Sequence, residues 1–217
     1  MLKIEFEGVD GSGKTTSLRY FIEQAQKRGL NVVETREVGN PHIPACVKLR
    51  EFVLDPNSSL SGEAMELLFS AMRYENDKWL RNLEVSENPP DLMVSDRGWY
   101  SHLAYTDHNV SKDFTDLLYR GVLELETRLP EIVIYFRVNT ETALKRRVKR
   151  GGAMDVIEMK GVEYQEKVRE SFEEYIFEDN NDPSTGTVFF SVDANQDLDN
   201  VKSQLNNILE VIIDQYV

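Results

Sequence analysis

The sequence predicts an α/β fold, with a central parallel sheet of five strands covered by helices on both faces. Three observations carry this. A short apolar strand at the N-terminus runs into a glycine-rich loop and then a helix. Farther along, apolar runs bounded by turn residues alternate with amphipathic stretches. Across its 217 residues the chain shows no repeat and no low-complexity tract, which fits one domain spanning 1–217.

The elements follow in order. Residues 2–6 read as a strand and 16–28 as a helix, which stops at Gly29. Residues 31–35 are a second strand, and 47–54 a short helix halted by Asp55-Pro56. A long helix is expected over 61–84, because Met65, Leu68, Met72, Trp79 and Leu83 recur at three- and four-residue steps. Residues 91–95 form a buried strand ending at Asp96, 113–129 a helix and 131–138 a strand. Then come a helix over 140–149, a break at Gly151-Gly152, a helix over 161–177 and a turn-rich link over 179–186. A strand at 187–192 and a helix at 198–216 close the chain.

Composition excludes several classes. The longest apolar runs, such as 132–136, are far too short to span a membrane. A strand starting at Leu2 leaves no room for a signal peptide, so a cytoplasmic location is expected. Cys46 is the only cysteine, which rules out an internal disulfide or a cysteine-based zinc site; it reads as a small core residue. A net charge of −13 argues against a nucleic-acid polymer as partner, but a small nucleotide needs only a locally positive pocket. One basic run stands out, with five cations among residues 145–150.

The chemistry begins at Gly8-Val9-Asp10-Gly11-Ser12-Gly13-Lys14-Thr15, which fits the phosphate-binding pattern G-x-x-x-x-G-K-[ST]. Its glycines let backbone N–H groups curl around a phosphate, Lys14 reaches the outer phosphates, and the Thr15 hydroxyl can bind Mg²⁺. The helix that follows adds its positive dipole end. In such sheets ligands sit beyond the carboxyl ends of the strands. The loop, Arg36 and Asp96-Arg97 each follow a strand, so all should meet at one edge. Arg36 and Arg97 are planar forks suited to phosphate oxygens, and Asp96 is placed to serve Mg²⁺.

These residues resemble the thymidylate kinase family. The resemblance runs from Phe6-Glu7-Gly8 through Thr16 to Val192-Asp193-Ala194-Asn195-Gln196. It includes Thr35-Arg36-Glu37-Val38-Gly39, Leu67-Leu68-Phe69-Ser70-Ala71-Met72-Arg73, and Ser95-Asp96-Arg97 followed by Ser101, Ala104 and Tyr105. The family uses a P-loop fold of three layers with a helical lid, expected here at about 146–160. It moves the γ-phosphate of ATP, with Mg²⁺, onto dTMP.

The resemblance implies roles. Gly8, Gly11, Ser12, Gly13, Lys14, Thr15 and Thr16, with Ala194 and Asn195, would bind ATP. Asp10 would hold the deoxyribose 3′-hydroxyl, and Arg36 and Arg97 the acceptor phosphate. Phe69 would stack on the base, Arg73 would bond a base carbonyl, and Tyr105 would crowd the 2′ position beside Ser101. Gly11 stands where some members carry an arginine, so the catalytic cation is expected from the lid, at Arg146 or Arg150. A homodimer is implied as well.

Three departures qualify the match. Val38 replaces the family's proline, and Asp155-Val156 lacks a lid arginine. His102 and Thr106 replace residues that help read the thymine edge. The last points to dTMP or, as an alternative, to a 5-modified dUMP such as 5-hydroxymethyl-dUMP, or another deoxynucleoside monophosphate. A non-catalytic nucleotide-binding protein is the other reading. A GTP switch is opposed by the lack of any Asn-Lys pair.

Overall fold

The computed structural model describes residues 1–106, 108, 110–124, 128–151, 156–180 and 186–217, with residues 116, 119, 120 and 122–124 described by their backbone alone. Five parallel strands form one sheet in the order β2-β3-β1-β4-β5. They are β1 (Leu2–Glu7), β2 (Val32–Arg36), β3 (Leu92–Asp96), β4 (Ile132–Arg137) and β5 (Val188–Asp193). The register pairs Phe6 with Asp96 and Asp96 with Arg36, so the carboxyl ends of the three strands are level. That alignment brings the glycine-rich loop, Arg36 and Asp96-Arg97 to one edge, as expected.

Helices cover both faces. They are α1 (Lys14–Lys27), α2 (Pro44–Leu54), α3 (Gly62–Glu84), α4 (Trp99–Thr106), α5 (Lys112–Glu124), α6 (Thr140–Arg150), α7 (Gly161–Asn180) and α8 (Leu198–Tyr216). A short 3₁₀ turn spans Glu158–Lys160. Helix α1 packs beside α8, and α4 beside α7. Ile4, Phe6, Val94, Ile132 and Ile134 of the strands are fully buried with Leu18 and Phe21 of α1 and Leu209 and Ile212 of α8. Phe6 packs edge-on against Phe21, with ring centres 5.3 Å apart. Cys46 is buried in a smaller cluster with Met65, Phe69 and Met72, as a core residue should be.

Local signals explain most boundaries. Ser61 Oγ accepts from Ala64 N at 3.2 Å, and Asn139 Oδ1 from Thr142 N at 2.7 Å, so each caps a helix start. Helix α2 begins earlier than expected because Pro44 sits comfortably in a first turn. Helix α7 runs on through Asp179, where a turn was expected; residues 181–185 of that link lie outside the described residues, as do 125–127 of the helix expected to reach 129.

Helix α4 was not foreseen, because its start has no local cap. Its cap comes from β1, more than 90 positions away in sequence. Strand β1 points Ile4 and Phe6 to one face and Lys3, Glu5 and Glu7 to the other, and all five are buried. Glu5 accepts from Trp99 N at 2.8 Å, while Glu7 accepts from Gly98 N at 2.8 Å and Ser101 N at 2.9 Å. A Cβ on Gly98 would stand 2.0 Å from the Glu5 carboxyl carbon, so a larger residue would displace the carboxylate that caps α4. Among the described residues, no helix is long and apolar enough to cross a membrane.

Candidate active site

The phosphate loop turns on glycines at positive φ. Gly11 lies at φ 86°, and a Cβ there would sit 2.3 Å from the Ala143 carbonyl oxygen of α6. No side chain fits at that position without displacing α6. Within the loop, Lys14 Nζ donates to Gly8 O at 2.6 Å and Val9 O at 3.0 Å. Burial and then the Arg97 charge lower the Lys14 pKa to about 8, against the pull of Asp10 and Asp96. Thr15 Oγ1 donates to Asp96 Oδ2 at 2.8 Å. A hydroxyl beside a carboxylate is a pair of hard oxygen ligands of the kind Mg²⁺ takes while keeping its waters.

Arg97 is the hub. It takes a left-handed φ of 71°, a conformation that costs a non-glycine residue about 1–3 kcal/mol. Its two terminal nitrogens make four hydrogen bonds. Nη1 donates to Gly8 O at 3.0 Å and Ser101 Oγ at 2.9 Å, and Nη2 to Asp10 Oδ1 at 2.7 Å and the Tyr105 hydroxyl at 3.2 Å. The guanidinium also lies 5.1 Å from the centre of the Tyr105 ring. Burial alone would raise the Asp10 pKa, but Arg97 and Lys14 outweigh it and hold that carboxyl well below the usual range. Asp10, Arg97, Ser101 and Tyr105, separated in sequence, thus form one constellation.

Two cavities meet at this hub. One is lined by Phe69, Arg73, Glu66 and His102, the other by Lys14, Arg36, Asp96, Arg147 and Arg150; Asp10, Arg50 and Arg97 line both. In the first, Phe69 and Arg73 project from the same face of α3. Arg73 is 2 % exposed, lies 2.8 Å from Glu37 Oε2 through Nη1, and donates to Gly98 O at 3.1 Å. Among the described residues nothing accepts from its Nε. Asn76 donates to Glu37 at 2.8 Å, which fixes the partner of Arg73. Val38 lines the same cavity, and the Glu37–Val38 peptide is cis.

The second cavity is ringed by cations. Arg36 lies at its rim and donates to Gly39 O at 3.2 Å. Arg150 pairs with Glu158, and Arg147 Nη2 donates to Glu158 O at 3.3 Å, which ties α6 to the 3₁₀ turn. Arg146 lines this cavity too: it donates to Ala194 O at 2.7 Å and Gln196 O at 3.3 Å, on the turn after β5, and to Ser12 O of the phosphate loop at 3.5 Å. In that turn the Asn195 side chain accepts from Asn139 N at 3.0 Å. Residues 152–155, including Asp155, lie outside the described residues.

A phosphate loop joined through Asp10, Arg50 and Arg97 to a cavity with an aromatic wall has room for two substrates side by side. A family model described as Thymidylate kinase matches residues 6–205. The chain belongs to the thymidylate kinase family. It is similar to the thymidylate kinase of Campylobacter curvus, with 32 % identity over 94 % of this chain and 97 % of that protein. A Thermoanaerobacter thymidylate kinase is 30 % identical over 78 % of this chain and 80 % of its own length. That of Halalkalibacterium halodurans is 29 % identical over 91 % and 90 %. Membership makes the protein a nucleoside-monophosphate kinase, an ATP-binding transferase of nucleotide biosynthesis.

Sequence reasoning missed four residues of this thymidylate kinase family site. Arg50 of α2 reaches both cavities and donates to Val38 O at 2.7 Å, yet it belongs to no motif. Arg147 was lost among its basic neighbours. Glu7, beside the loop, is fully buried, with its pKa raised to about 7 by burial and the nearby Glu5 charge. Glu66 lies one turn before Phe69, where a face-by-face reading of α3 could have found it.

Proposed function

We propose that the protein transfers the γ-phosphoryl group of ATP to dTMP, giving dTDP and ADP. The observation that carries this is the sharing of Asp10, Arg50 and Arg97 between the cation-ringed cavity and the cavity walled by Phe69 and Arg73. An acceptor with its base against Phe69 and its phosphate at Arg97 would present a phosphate oxygen to a donor lying on the loop. That oxygen attacks the γ-phosphorus as the bond to the β,γ-bridging oxygen breaks, and ADP leaves with the electron pair.

In this reading Lys14 and Arg97 balance the charge of the moving group, and the loop N–H groups and Thr16 hold the donor. Arg36 steadies the acceptor phosphate, and Arg73 bonds a carbonyl of the base. Asp10 takes the 3′-hydroxyl, while Tyr105 crowds the 2′ position beside Ser101. Thr15 and Asp96 would hold Mg²⁺, which when bound neutralises phosphate charge. Arg150 and Arg147 are the lid cations that face the phosphates. Arg146 of α6 lines the same cavity and bonds the turn carrying Ala194 and Asn195, beside which the donor base would lie. The lid is taken as residues 146–160 of a single domain. A homodimer through α3 accords with Leu67, which is 54 % exposed on the side away from the cavity.

A 5-modified dUMP is a second reading of the acceptor, favoured by polar His102 and Glu66 in the base cavity. The test is turnover with ATP and dTMP, dUMP, 5-hydroxymethyl-dUMP, dCMP, dAMP and dGMP, with products resolved by chromatography. The highest kcat/KM for dTMP supports the first reading. A clear preference for 5-hydroxymethyl-dUMP replaces it with the second, and a preference for a purine defeats both. Light scattering reads the assembly.

A further inference from the structure

The base cavity holds a carboxylate that none of the roles above uses. Glu66 is 1 % exposed and lines the cavity on the same face of α3 as Phe69 and Arg73. Its Oε2 accepts from Thr106 Oγ1 at 2.8 Å and lies 3.9 Å from Nδ1 of His102. His102 lines the same cavity from α4. Arg73 is near as well: its guanidinium rests 5.4 Å from the centre of the Trp99 ring, which is itself 6.0 Å from the imidazole centre.

Burial, and then the Arg73 charge, push the His102 pKa well below its ordinary value, so the ring is neutral at physiological pH. A neutral imidazole has one N–H and one bare nitrogen, and its neighbours decide which is which. A carboxylate close to Nδ1 favours the proton there. Nε2 is then left as an acceptor. In a uracil-type ring the position next to the 4-carbonyl is N3–H, a donor. In cytosine the ring nitrogen at that position carries a lone pair. A base whose 4-carbonyl meets Arg73 turns that neighbouring position toward the same polar wall.

We propose that Glu66, held by Thr106, is a positioning residue that fixes His102 in its Nδ1–H form, so that Nε2 accepts N3–H from a uracil-type base and rejects cytosine. This rests on the pyrimidine acceptor proposed above. It applies equally to dTMP and to a 5-modified dUMP, since both keep N3–H. Discrimination comes from the mismatch, because two lone pairs facing each other in a buried site leave both groups without a partner.

Two measurements on the full chain test this, and the first needs no turnover. The protein has three histidines, so long-range ¹H–¹⁵N spectra of ¹⁵N-histidine-labelled protein can be assigned with a His102→Asn variant. The expected pattern is a protonated Nδ1 and a bare Nε2 at His102, lost or mixed in Glu66→Gln and weakened in Thr106→Val. The second is the ratio of kcat/KM for dTMP over dCMP. It should fall about tenfold in Glu66→Gln, with the KM for ATP unchanged. His102→Asn, whose amide carbonyl can replace Nε2, should keep most of the preference. A proton on Nε2 in the wild-type protein overturns the inference, whether or not the variants fold. An unchanged dTMP-to-dCMP ratio in a folded Glu66→Gln also overturns it. Failure of the wild-type protein to use any uracil-type monophosphate would defeat the acceptor reading instead, while the spectrum still decides the tautomer.

Discussion

Arg97 Nη2 donates to Asp10 Oδ1 at 2.7 Å, so the residue after β3 and the acid inside the phosphate loop act as one unit. The level ends of β1 and β3 make that reach possible. The same fork holds the loop through Gly8 O and helix α4 through Ser101 and Tyr105. Lysine would keep the charge and lose the planar fork. Arg97→Lys is therefore expected to lower kcat/KM for the acceptor by about 100-fold, with a smaller change in the KM for ATP. Steady-state kinetics with each substrate varied in turn will show it; a variant with wild-type kcat/KM would remove Arg97 from the chemistry.

Lys14 sets a pH limit. Its pKa is lowered to about 8 by burial and by Arg97, so the free protein loses this cation as pH rises through 8. Bound phosphates favour the charged form and move the transition higher. The expected outcome is that kcat/KM for ATP declines above about pH 8, while kcat holds to a higher pH. Profiles of both constants between pH 6.5 and 9.5 check this. Identical alkaline limits for the two would mean that the limiting group is not one that binds the donor phosphates.

Most of the scaffold was legible because period and punctuation agree. The five strands are short apolar runs between turn residues, and α8 begins after Asp197, which accepts from Asn200 N at 2.9 Å. The phosphate loop was legible because its pattern is local. Helix α4 was not, because its cap is Glu5 and Glu7 of a distant strand. The same distance hides why Gly11 has no side chain: the obstacle is Ala143, on a helix far along the chain. Arg50 and Glu66 enter the site only through the packing of α2 and α3. Local residues announce a loop or a cap, whereas a pocket wall assembled from three helices and the loops beside them leaves no spacing to read.

Glu7 ties stability to pH. Burial and the Glu5 charge raise its pKa from 4.5 to about 7, so between those values the folded protein binds more protons than the unfolded chain. Stability from this group is therefore full below about pH 4.5 and is lost as pH rises through 7. Glu7→Gln keeps an acceptor for Gly98 N and Ser101 N and removes the titration. The expected result is that wild-type stability, relative to Glu7→Gln, falls by on the order of 2 kcal/mol between pH 5 and 8. Urea melts of both proteins at several pH values measure it, and parallel curves would show that Glu7 does not titrate in this range.

The arginines of α6 should separate by kinetic signature, because they line one cavity but hold different partners. Arg150 lines the phosphate cavity and pairs with Glu158, so a bound phosphate would compete with that carboxylate for its fork. Arg146 lines the same cavity but spends its donors on Ser12 O, Ala194 O and Gln196 O, beside the turn proposed to meet the donor base. A cation that meets charge only as it develops changes kcat, whereas one that shapes a binding wall changes KM. Arg150→Ala is expected to reduce kcat by about 100-fold with the KM for ATP little changed. Arg146→Ala should raise the KM for ATP by about tenfold with a smaller effect on kcat. Arg147→Ala falls between them, since Arg147 also helps hold the Asp10 carboxyl ionised. Initial rates over a grid of both substrates distinguish these outcomes. If Arg146→Ala instead loses kcat alone, the catalytic cation is Arg146, and Arg150 serves mainly to anchor α6 to Glu158.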